Sequence, residues 1–560
     1  MKKSLLSLSI GAAIAGLTLA GAANAAVSIA GTNTTGAPVT NQLTATTAGA
    51  TLELNAGGIG HIGLIPYFST QAGNQTLFSI TNTDTVNGKA VKVRFRSAAN
   101  SDDIFDFTLF LSPGDIWTAN ISRDAATGGS RLVTNDNSCT LPATAVLNRG
   151  FVTDRLPASF TAAQKAEWTS EGYVEVLTMA NIPPVYADGG TRVPAAPAGA
   201  ATTSTNALYT TIKHVNGVAP CDATQLGTLL VDKPTEADLV AAGFDTPTTG
   251  LYTNAFIINT SNALMSWSNE STAVQAVSGA ASTPARGRVV FAPQTNDAVT
   301  QQIATLTADP LLAGGLSSTG ATVVAPIAAL QFDFPDLSTP YVDTVALATT
   351  GAGSPAAQSS RLSTSLAATS VKNDYSTLAA IGSKTDFTFS LPTRRYHAAV
   401  DYSTAPFRSV YTTPAAVNGT TNSYFTPANT SLLGSLLCVN PGTTPLTVYD
   451  RSERTLTSGN GAVVSPGAPT IGLRFCGEVS VLTINNDAAA PAGKGVLGAT
   501  VAVLNVFTGF QEGWINIATP GIANAGLPVL GSAYTSAVGS PANGVSTNYS
   551  WAFKHKTVAP

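Results

Sequence analysis

The feature that most constrains this chain is a period-two alternation of apolar and polar residues between residues 77 and 117. Over residues 91–96, Val, Val and Phe alternate with Lys, Arg and Arg, and residues 105–111 continue the pattern. Successive side chains of a strand point to opposite faces, so this period predicts half-buried strands. Asn87-Gly88 supplies a positive-φ hairpin turn and Pro113-Gly114 ends a strand. The segment predicts a mainly β chain of antiparallel β-sandwich domains.

Strand patterns recur later in the chain, separated by long loops and a few short helices. Strands are expected at residues 77–81, 173–177, 251–258, 264–267, 289–291, 387–389, 479–484, 501–507 and 514–517. Thr161 is a candidate N-cap, which predicts a short helix over residues 160–168. Residues 298–316 are a second helix candidate, and the Pro-, Ala- and Gly-rich residues 183–206 predict a surface loop.

These signals divide the chain into five regions. They are a signal peptide (1–25), a low-complexity leader or early edge strand (26–50), a first β-rich domain with a loop insertion (51–250), a connecting β-rich region with a possible helix (251–350) and a second β-rich domain (351–560). Residues 106–111 resemble 386–391, and residues 171–176 resemble 512–517 in the same order. This favours two related domains in tandem, with chance similarity between strands as the alternative.

The N-terminus predicts export. Lys2 and Lys3 precede an apolar run to Leu19, and Ala23-Asn24-Ala25 forms a small-x-small cleavage site. A transmembrane anchor is the alternative, but Gly11, Gly16 and Gly21 interrupt a short apolar stretch. We therefore expect an exported protein on the extracellular side of the outer membrane.

Cysteine usage agrees with an oxidising compartment. The chain has four cysteines, Cys139, Cys221, Cys438 and Cys476, and an even number in an exported protein predicts disulfide bonds. Three pairings are possible. We favour the pairing that is local in sequence, Cys139–Cys221 with Cys438–Cys476.

Charged residues are scarce, and this limits the kinds of binding partner that we expect. Only 11% of residues are charged, against about a quarter in ordinary soluble domains, and the net charge is −4. Hydroxyl and amide side chains replace them, so no basic surface is expected to attract nucleic acid.

Motifs for catalysis are missing from the sequence. The four histidines, His61, His214, His397 and His555, are far apart and form no metal-binding spacing. No GxSxG nucleophile motif occurs. A pair of carboxylates of the glycosidase type stays open as an alternative, because its members can be distant in sequence. We predict no catalytic and no cofactor-binding residues, and expect that the chain is not an enzyme.

Two acidic clusters are weak candidates for a calcium site. Asp102 and Asp103 lie close to Asp106, and Asp333 lies close to Asp336. Carboxylate oxygens are ligands that calcium prefers, but neither cluster has the spacing of an EF-hand. The alternative is that they are solvated turn residues.

Four segments together resemble a known family. They are IPYFSTQ at residues 65–71, NTDTVNGKAVKVRFR at 82–96, DLSTPY at 336–341 and LPTRRY at 391–396. They resemble Gram-negative cell-surface proteins described as surface-layer-like. The resemblance implies a structural protein outside the outer membrane that self-assembles into a coat, and it supplies no catalytic residues. Attachment to lipopolysaccharide or to an outer-membrane protein is a hypothesis. A monomeric adhesin or glycan-binding surface protein is the alternative.

Overall fold

The structure is a computed structural model that describes most of the chain. It describes residues 28–30, 48–153, 156–157, 159–187, 203–231, 233, 235–261, 265–278, 283–291, 293, 323–324, 335–339, 341–342, 355–402, 405–412, 424–440, 446–457, 462–463, 473–485, 495–499, 502–505, 509–539 and 547–560. The predicted signal peptide and the predicted helix over residues 298–316 lie outside these residues. The fold is mainly β, as expected, with antiparallel sheets and short helices.

The first sandwich consists of an inner and an outer sheet; strands and helices are numbered in chain order. The inner sheet has the order β10 (Cys139–Leu141), β7 (Asp103–Leu111), β6 (Gly88–Ser97), β11 (Glu171–Ile182), β4 (Ile62–Ser69), β16 (Thr272–Ser278) and β17 (Thr283–Pro284), and β2 (Thr51–Asn55) also pairs with β16. The outer sheet has the order β15 (Met265–Ser268), β14 (Leu251–Asn259), β5 (Asn74–Asn82), β8 (Ile116–Arg123) and β9 (Ser130–Val133), with β3 (Ile59–Gly60) on β14. Phenylalanines, aliphatic residues and Trp117 fill the space between them.

The second sandwich has the same two-layer design. One sheet has the order β28 (Thr455–Thr457), β27 (Leu446–Asp450), β33 (Glu512–Ala518), β21 (Ser370–Ser376) and β37 (Lys556–Val558). The other has the order β29 (Ala462–Val463), β32 (Ala502–Asn505), β31 (Val479–Asn485), β22 (Lys384–Ser390), β35 (Ser532–Val538) and β36 (Asn548–Lys554). Phe387, Ile515 and other apolar side chains from both sheets form its core.

Smaller elements complete the described fold. The minor sheets pair β1 (Ser28–Ala30) with β18 (Val289–Phe291), β12 (Val185–Ala187) with β13 (Thr203–Thr205), β20 (Ala367–Ala368) with β34 (Leu527–Pro528), β24 (Arg408–Thr412) with β19 (Val323–Val324) and β23 (Ala398–Asp401), and β26 (Leu436–Val439) with β25 (Thr430–Leu433) and β30 (Phe475–Cys476). The α-helices in these ranges are α1 (Thr144–Leu147), α2 (Ala162–Trp168), α3 (Ala207–Ile212), α4 (Ala223–Gly227), α5 (Glu236–Ala241) and α6 (Pro355–Leu366). Short 3-10 turns cover Gln71–Gly73, Thr228–Leu230, Ala379–Ile381, Arg394–Tyr396 and Ile522–Asn524.

Several local predictions are confirmed. Helix α2 begins after Thr161, whose hydroxyl accepts a hydrogen bond from the Gln164 amide, while the Gln164 side chain accepts one from the Thr161 amide. The structure contains the disulfides Cys139–Cys221 and Cys438–Cys476. The second disulfide joins residues that lie directly opposite each other on β26 and β30.

The predicted hairpin around Asn87-Gly88 is wrong. Strand β5 belongs to the outer sheet and β6 to the inner sheet, so residues 83–87 carry the chain between layers. Gly88 is not among the positive-φ residues. A Cβ atom there would lie 2.6 Å from the Ile212 side chain and 3.0 Å from the Leu111 carbonyl oxygen. Close packing, rather than a turn, therefore requires this glycine.

Two expectations about domain organisation do not match the sheets. The expected boundary at residue 250 falls inside the first sandwich, because β14, β15 and β16 pair within its two sheets. The two pairs of similar segments also lie at different positions in the two sandwiches. Strands β7 and β11 lie in one sheet, one strand apart, whereas their counterparts β22 and β33 lie in different sheets. The sequence similarity of these segments is therefore that of strands in general.

The two sandwiches share a junction, defined here as the apolar cluster and hydrogen bonds that join β4, β11 and β15 to β31 and β35. Buried Tyr67, Tyr173 and Trp267 pack there with Val481 and Tyr534. The Trp267 indole N–H donates to the Thr535 carbonyl oxygen at 2.8 Å, and the Tyr534 hydroxyl donates to Asn269 Oδ1 at 2.7 Å. The two sandwiches thus form one packed body.

Candidate functional site

The most unusual part of the described structure is a set of charged side chains buried between the two sandwiches, called here the ionic cluster. It contains five of the chain's 28 basic and five of its 32 acidic residues. Its members are Lys92, Arg94, Arg96, Asp103, Asp106, Glu175, Asp336, Arg394, Arg395 and Glu478. Each of these residues is buried.

Neighbouring strands of the inner sheet build the first half of the cluster. In the register of β11, β6 and β7, Glu175 lies opposite Arg94, and Arg94 lies opposite Asp106. Lys92 pairs with Asp106 and Arg94 pairs with Asp103, while Arg96 Nε lies 3.2 Å from Glu175 Oε1. Opposite charges placed across strands in this way stabilise the pairing of the sheet.

The rest of the cluster comes from the connecting region and the second sandwich. Asp336 Oδ2 lies 3.7 Å from Arg96 Nη2 and 3.3 Å from Arg395 Nη1, and it accepts a 3.0 Å hydrogen bond from the Tyr396 hydroxyl. Arg394 Nε lies 3.2 Å from Glu478 Oε1. Asp336 therefore bridges an arginine of each sandwich.

The backbone comes close where the cluster meets the second sandwich. The amides of Glu478 and Val479 donate to the Ala98 carbonyl oxygen at 2.7 and 3.0 Å. Gly477 has a φ of +80°, and a Cβ atom there would lie 2.4 Å from the same oxygen. A glycine is required at this contact because any side chain would push the sandwiches apart.

This arrangement corrects the prediction that β6 is half-buried. The alternation itself is right, since Val91, Val93 and Phe95 face the outer sheet. The opposite face, which carries Lys92, Arg94 and Arg96, is buried as well. Asp103, Asp106 and Glu175 of the first sandwich and Asp336 of the connecting region pair with these cations, so this face can be covered without burying unpaired charge.

Three of the four segments on which the family resemblance rests meet at the cluster. Residues 82–96 supply its cations from β6, residues 336–341 supply Asp336, and residues 391–396 supply Arg394 and Arg395. Sequence reasoning missed Glu175 and Glu478. The available signal was a carboxylate inside an apolar strand pattern of a chain with so little charge.

The calcium candidates lie in or beside the same cluster. Asp103 and Asp106 face Arg94 and Lys92, and Asp102 is buried next to them. Asp336 faces two arginines, and Asp333 lies outside the described residues. No group of three metal-ligating side chains is found in the part of the chain that the structure describes. Basic side chains of the protein itself balance the charge of Asp103, Asp106 and Asp336.

Burial shifts the ionisation of the cluster carboxyls. It raises the pKa of Glu175, while Arg96 opposes the shift, and it raises the pKa of Glu478, while Arg394 opposes it. The arginines thus offset part of the cost of burying these carboxylates. The cluster acts chemically as a set of mutual counter-ions between two packed surfaces.

The histidines lie in separate environments. Burial lowers the pKa of His61 to about 3 and those of His397 and His555 to about 4. His214 Nδ1 lies 3.5 Å from Asp115 Oδ2 and 3.2 Å from Ser112 Oγ. A Ser-His-Asp triad places serine and aspartate on opposite ring nitrogens, whereas both groups here face the same one.

Comparisons with family models, curated proteins and solved structures found no match to this chain. Within the described ranges, the helices are too short or too polar to cross a membrane.

Removing one partner from the cluster should destabilise the fold strongly. Replacing Arg96 with alanine leaves Glu175 and Asp336 short of a counter-charge, and breaking a buried pair costs about 3–5 kcal/mol. The control is Arg451→Ala, because the Arg451–Glu512 pair at 2.8 Å is exposed and should contribute less than about 1 kcal/mol. Urea unfolding followed by circular dichroism measures both. Equal losses in the two variants would contradict a stabilising cluster.

A second prediction concerns Asp386, which is buried on β22 near the junction. Burial raises its pKa from 3.8 to about 6, although its carboxylate accepts a 2.8 Å hydrogen bond from the Leu497 amide. The folded state holds the proton of the Asp386 carboxyl more tightly than the unfolded state does. The contribution of this proton to the free energy of unfolding is therefore complete below about pH 4 and is lost as the pH rises to about 6. Asp386→Asn should remove that loss.

As the pH rises from 4 to 6, the free energy of unfolding of Asp386→Asn should therefore increase relative to that of the unmodified protein, by up to about 3 kcal/mol. Denaturation at several pH values checks this. Asp374→Asn, at an exposed aspartate of β21, is the control. A constant difference between Asp386→Asn and the unmodified protein across this range would show that Asp386 does not take up the proton.

Proposed function

We propose that this chain is an exported structural protein that assembles with copies of itself into a surface-layer-like coat outside the outer membrane. Its role in this proposal is architectural and not enzymatic. The observation that carries the proposal is the position of the charged side chains. Ten charged side chains of a charge-poor protein are paired inside the body, where they join two sandwiches.

A repeating coat requires a subunit that keeps its shape under many weak contacts. The junction and the ionic cluster support such a role. Asp336 pairs with Arg96 of the first sandwich and with Arg395 of the second, and Glu478 pairs with Arg394 at the boundary. Buried pairs of this kind favour one register of packing over others. The two disulfides limit unfolding in an oxidising compartment.

The outward surfaces support contact between copies. Strands β5, β14 and β15 contain no charged residue. Sheet faces of hydroxyl, amide and apolar side chains can be covered without burying unpaired charge. The resemblance to surface-layer-like proteins agrees with this, and lipopolysaccharide or an outer-membrane protein is the proposed attachment partner.

Electron microscopy tests the proposal. The mature protein, residues 26–560, should form ordered sheets or large oligomers, and the same spacing should be visible on native cells. Assembly should be measured with and without added calcium. A protein that stays monomeric up to its solubility limit in both conditions would overturn the proposal.

One observation favours the alternative, a glycan-binding adhesin. On β33, Trp514 is 37% exposed and stacks on Tyr449 of β27, with ring centroids 4.1 Å apart and an interplanar angle of 6°. Asp374 of β21 lies opposite Trp514. An aromatic face beside a carboxylate suits the apolar face and the hydroxyl groups of a sugar ring.

Glycan-array binding separates the two functions. Specific binding by monomeric protein, lowered at least about tenfold by Trp514→Ala, would favour the adhesin. The control is Tyr549→Ala, at another exposed aromatic residue of the second sandwich. Equal binding by both variants would exclude the Trp514 surface as the site.

A further inference from the structure

One buried lysine of the first sandwich lies outside the ionic cluster. Lys89 is on the face of β6 that carries Val91 and Val93, which is the face turned towards the outer sheet. It lies directly opposite Asn181 of β11 in the sheet register, and both side chains are buried. A lysine at such a position requires an explanation, because burying a charge costs free energy.

The Lys89 amine has neutral partners. Its Nζ donates to Asn181 Oδ1 at 2.9 Å, to the Thr248 carbonyl oxygen at 2.9 Å and to Thr248 Oγ1 at 3.5 Å. Of the two lysines on β6, only Lys92 forms an ion pair with a carboxylate in the described structure, and that carboxylate is Asp106. Lys89 is thus placed against an amide group instead of a counter-ion.

Hydrogen bonds hold the Asn181 side-chain amide in one orientation. Its Oδ1 accepts from Lys89 Nζ and from the Thr248 backbone amide at 3.3 Å, and its Nδ2 donates to Thr248 Oγ1 at 3.0 Å. A lysine amine and a backbone amide are both donors, so the oxygen of the Asn181 amide, and not its nitrogen, faces them. Two donors therefore polarise the Asn181 carbonyl, and the Thr248 hydroxyl contacts both side-chain nitrogens.

The backbone fixes Thr248 beside this pair. Asn181 and Asp245 exchange backbone hydrogen bonds of 2.9 and 2.8 Å, which hold the segment from residue 245 to 250 against β11. Gly250 has a φ of +140°, and a Cβ atom there would lie 3.0 Å from Lys89 Cε. The glycine thus allows this segment to lie directly against the lysine side chain.

We infer that Lys89 and Asn181 become joined by a covalent amide bond between their side chains. The Nζ atom of the uncharged amine forms a bond to Asn181 Cγ, the bond between Cγ and Nδ2 breaks, and one proton moves from Nζ to Nδ2, which leaves as ammonia. The Thr248 hydroxyl relays this proton, and the Thr248 amide N–H stabilises the negative charge that develops on Oδ1. The reaction needs no oxidant and no further reactant.

Three physical factors favour this reaction. Burial lowers the pKa of Lys89 to about 8, although the charge of Asp84 opposes the shift, so part of the amine is uncharged near neutral pH. The paired strands hold the two groups together, and well-oriented groups reach effective concentrations of about 10⁵–10⁸ M. The product buries a neutral amide in place of a charged amine, and its N–H keeps the Thr248 carbonyl oxygen as its acceptor.

The bond would join β6 to β11 between residues that are 92 positions apart in the sequence. A cross-link over this span limits the unfolded chain in the way that a disulfide does. The same two strands carry Arg96 and Glu175 of the ionic cluster, so the bond would also fix the strand register on which those ion pairs depend. This inference does not depend on the proposed coat.

Peptide mapping tests this inference. The folded mature protein is reduced, digested with trypsin and analysed by mass spectrometry. The expected result is a pair of linked peptides that contain Lys89 and Asn181 and are lighter than their sum by one ammonia molecule. Trypsin should fail to cleave after Lys89 and should cleave after Lys92, whose amine is held in an ion pair. The linked peptides are decisive, because loss of ammonia by imide formation at Asn87-Gly88 links no peptides.

Three variants separate the chemistry from packing. Lys89→Arg keeps a cation at this position and should give no linked peptides. Thr248→Val should lower the linked fraction at least about tenfold, because a positioned proton relay accelerates a reaction by about 100-fold or more. Thr248→Ser keeps the hydroxyl and should retain the linked fraction of the unmodified protein. Circular dichroism checks that each variant is folded.

The digest of the unmodified protein decides the inference even if a variant does not fold. Linked peptides that contain Lys89 and Asn181 support it. Separate, unlinked peptides would overturn it when they persist after incubation of the folded protein at about pH 9, where most of the Lys89 amine is uncharged. Equal linked fractions in Thr248→Val and Thr248→Ser would overturn the role assigned to the hydroxyl.

Discussion

The structure depends on one interaction, the pairing of arginines on β6 with carboxylates of the first sandwich and with Asp336 of the connecting region. Burying Arg94 and Arg96 without partners would oppose folding strongly, because a charge loses its hydration on leaving water. Glu175 and Asp336 offset that cost for Arg96, and Asp336 also pairs with Arg395. Asp336 thus links the charged face of the first sandwich to an arginine of the second. The two halves are therefore expected to be stable together.

This constraint explains why the same alternating pattern places different kinds of polar side chain in the two sheets of the first sandwich. In the inner sheet the polar side chains are charged and paired, and a second layer covers them. On β5 and β14 of the outer sheet the polar side chains are hydroxyls and amides, which water can solvate without a partner. The charges of the central inner-sheet strands are thereby buried and paired, whereas β5 and β14 of the outer sheet carry none. That distribution is the physical basis of the proposed rigid coat subunit.

Local signals in the sequence predicted elements well. Strands near residues 173–177 and 479–484 and the helix capped by Thr161 are present, because periodicity and capping act over a few residues. The candidate site was only partly visible. Asp103 and Asp106 were singled out as acidic residues, but assigned to calcium, because their cationic partners on the neighbouring strand could not be recognised without the sheet register.

The sequence by itself determined the β class, the local strand periodicity and the supply of cysteines, since these follow from side-chain alternation and composition. The tertiary structure decided which face of each strand is buried. It placed β5 and β6 in different layers, although the turn between them resembled a hairpin, and it packed Gly88 against Ile212 and Leu111. It also brought residues 94, 175, 336 and 395 together across the chain. Such contacts depend on register and layer order, which local patterns do not encode.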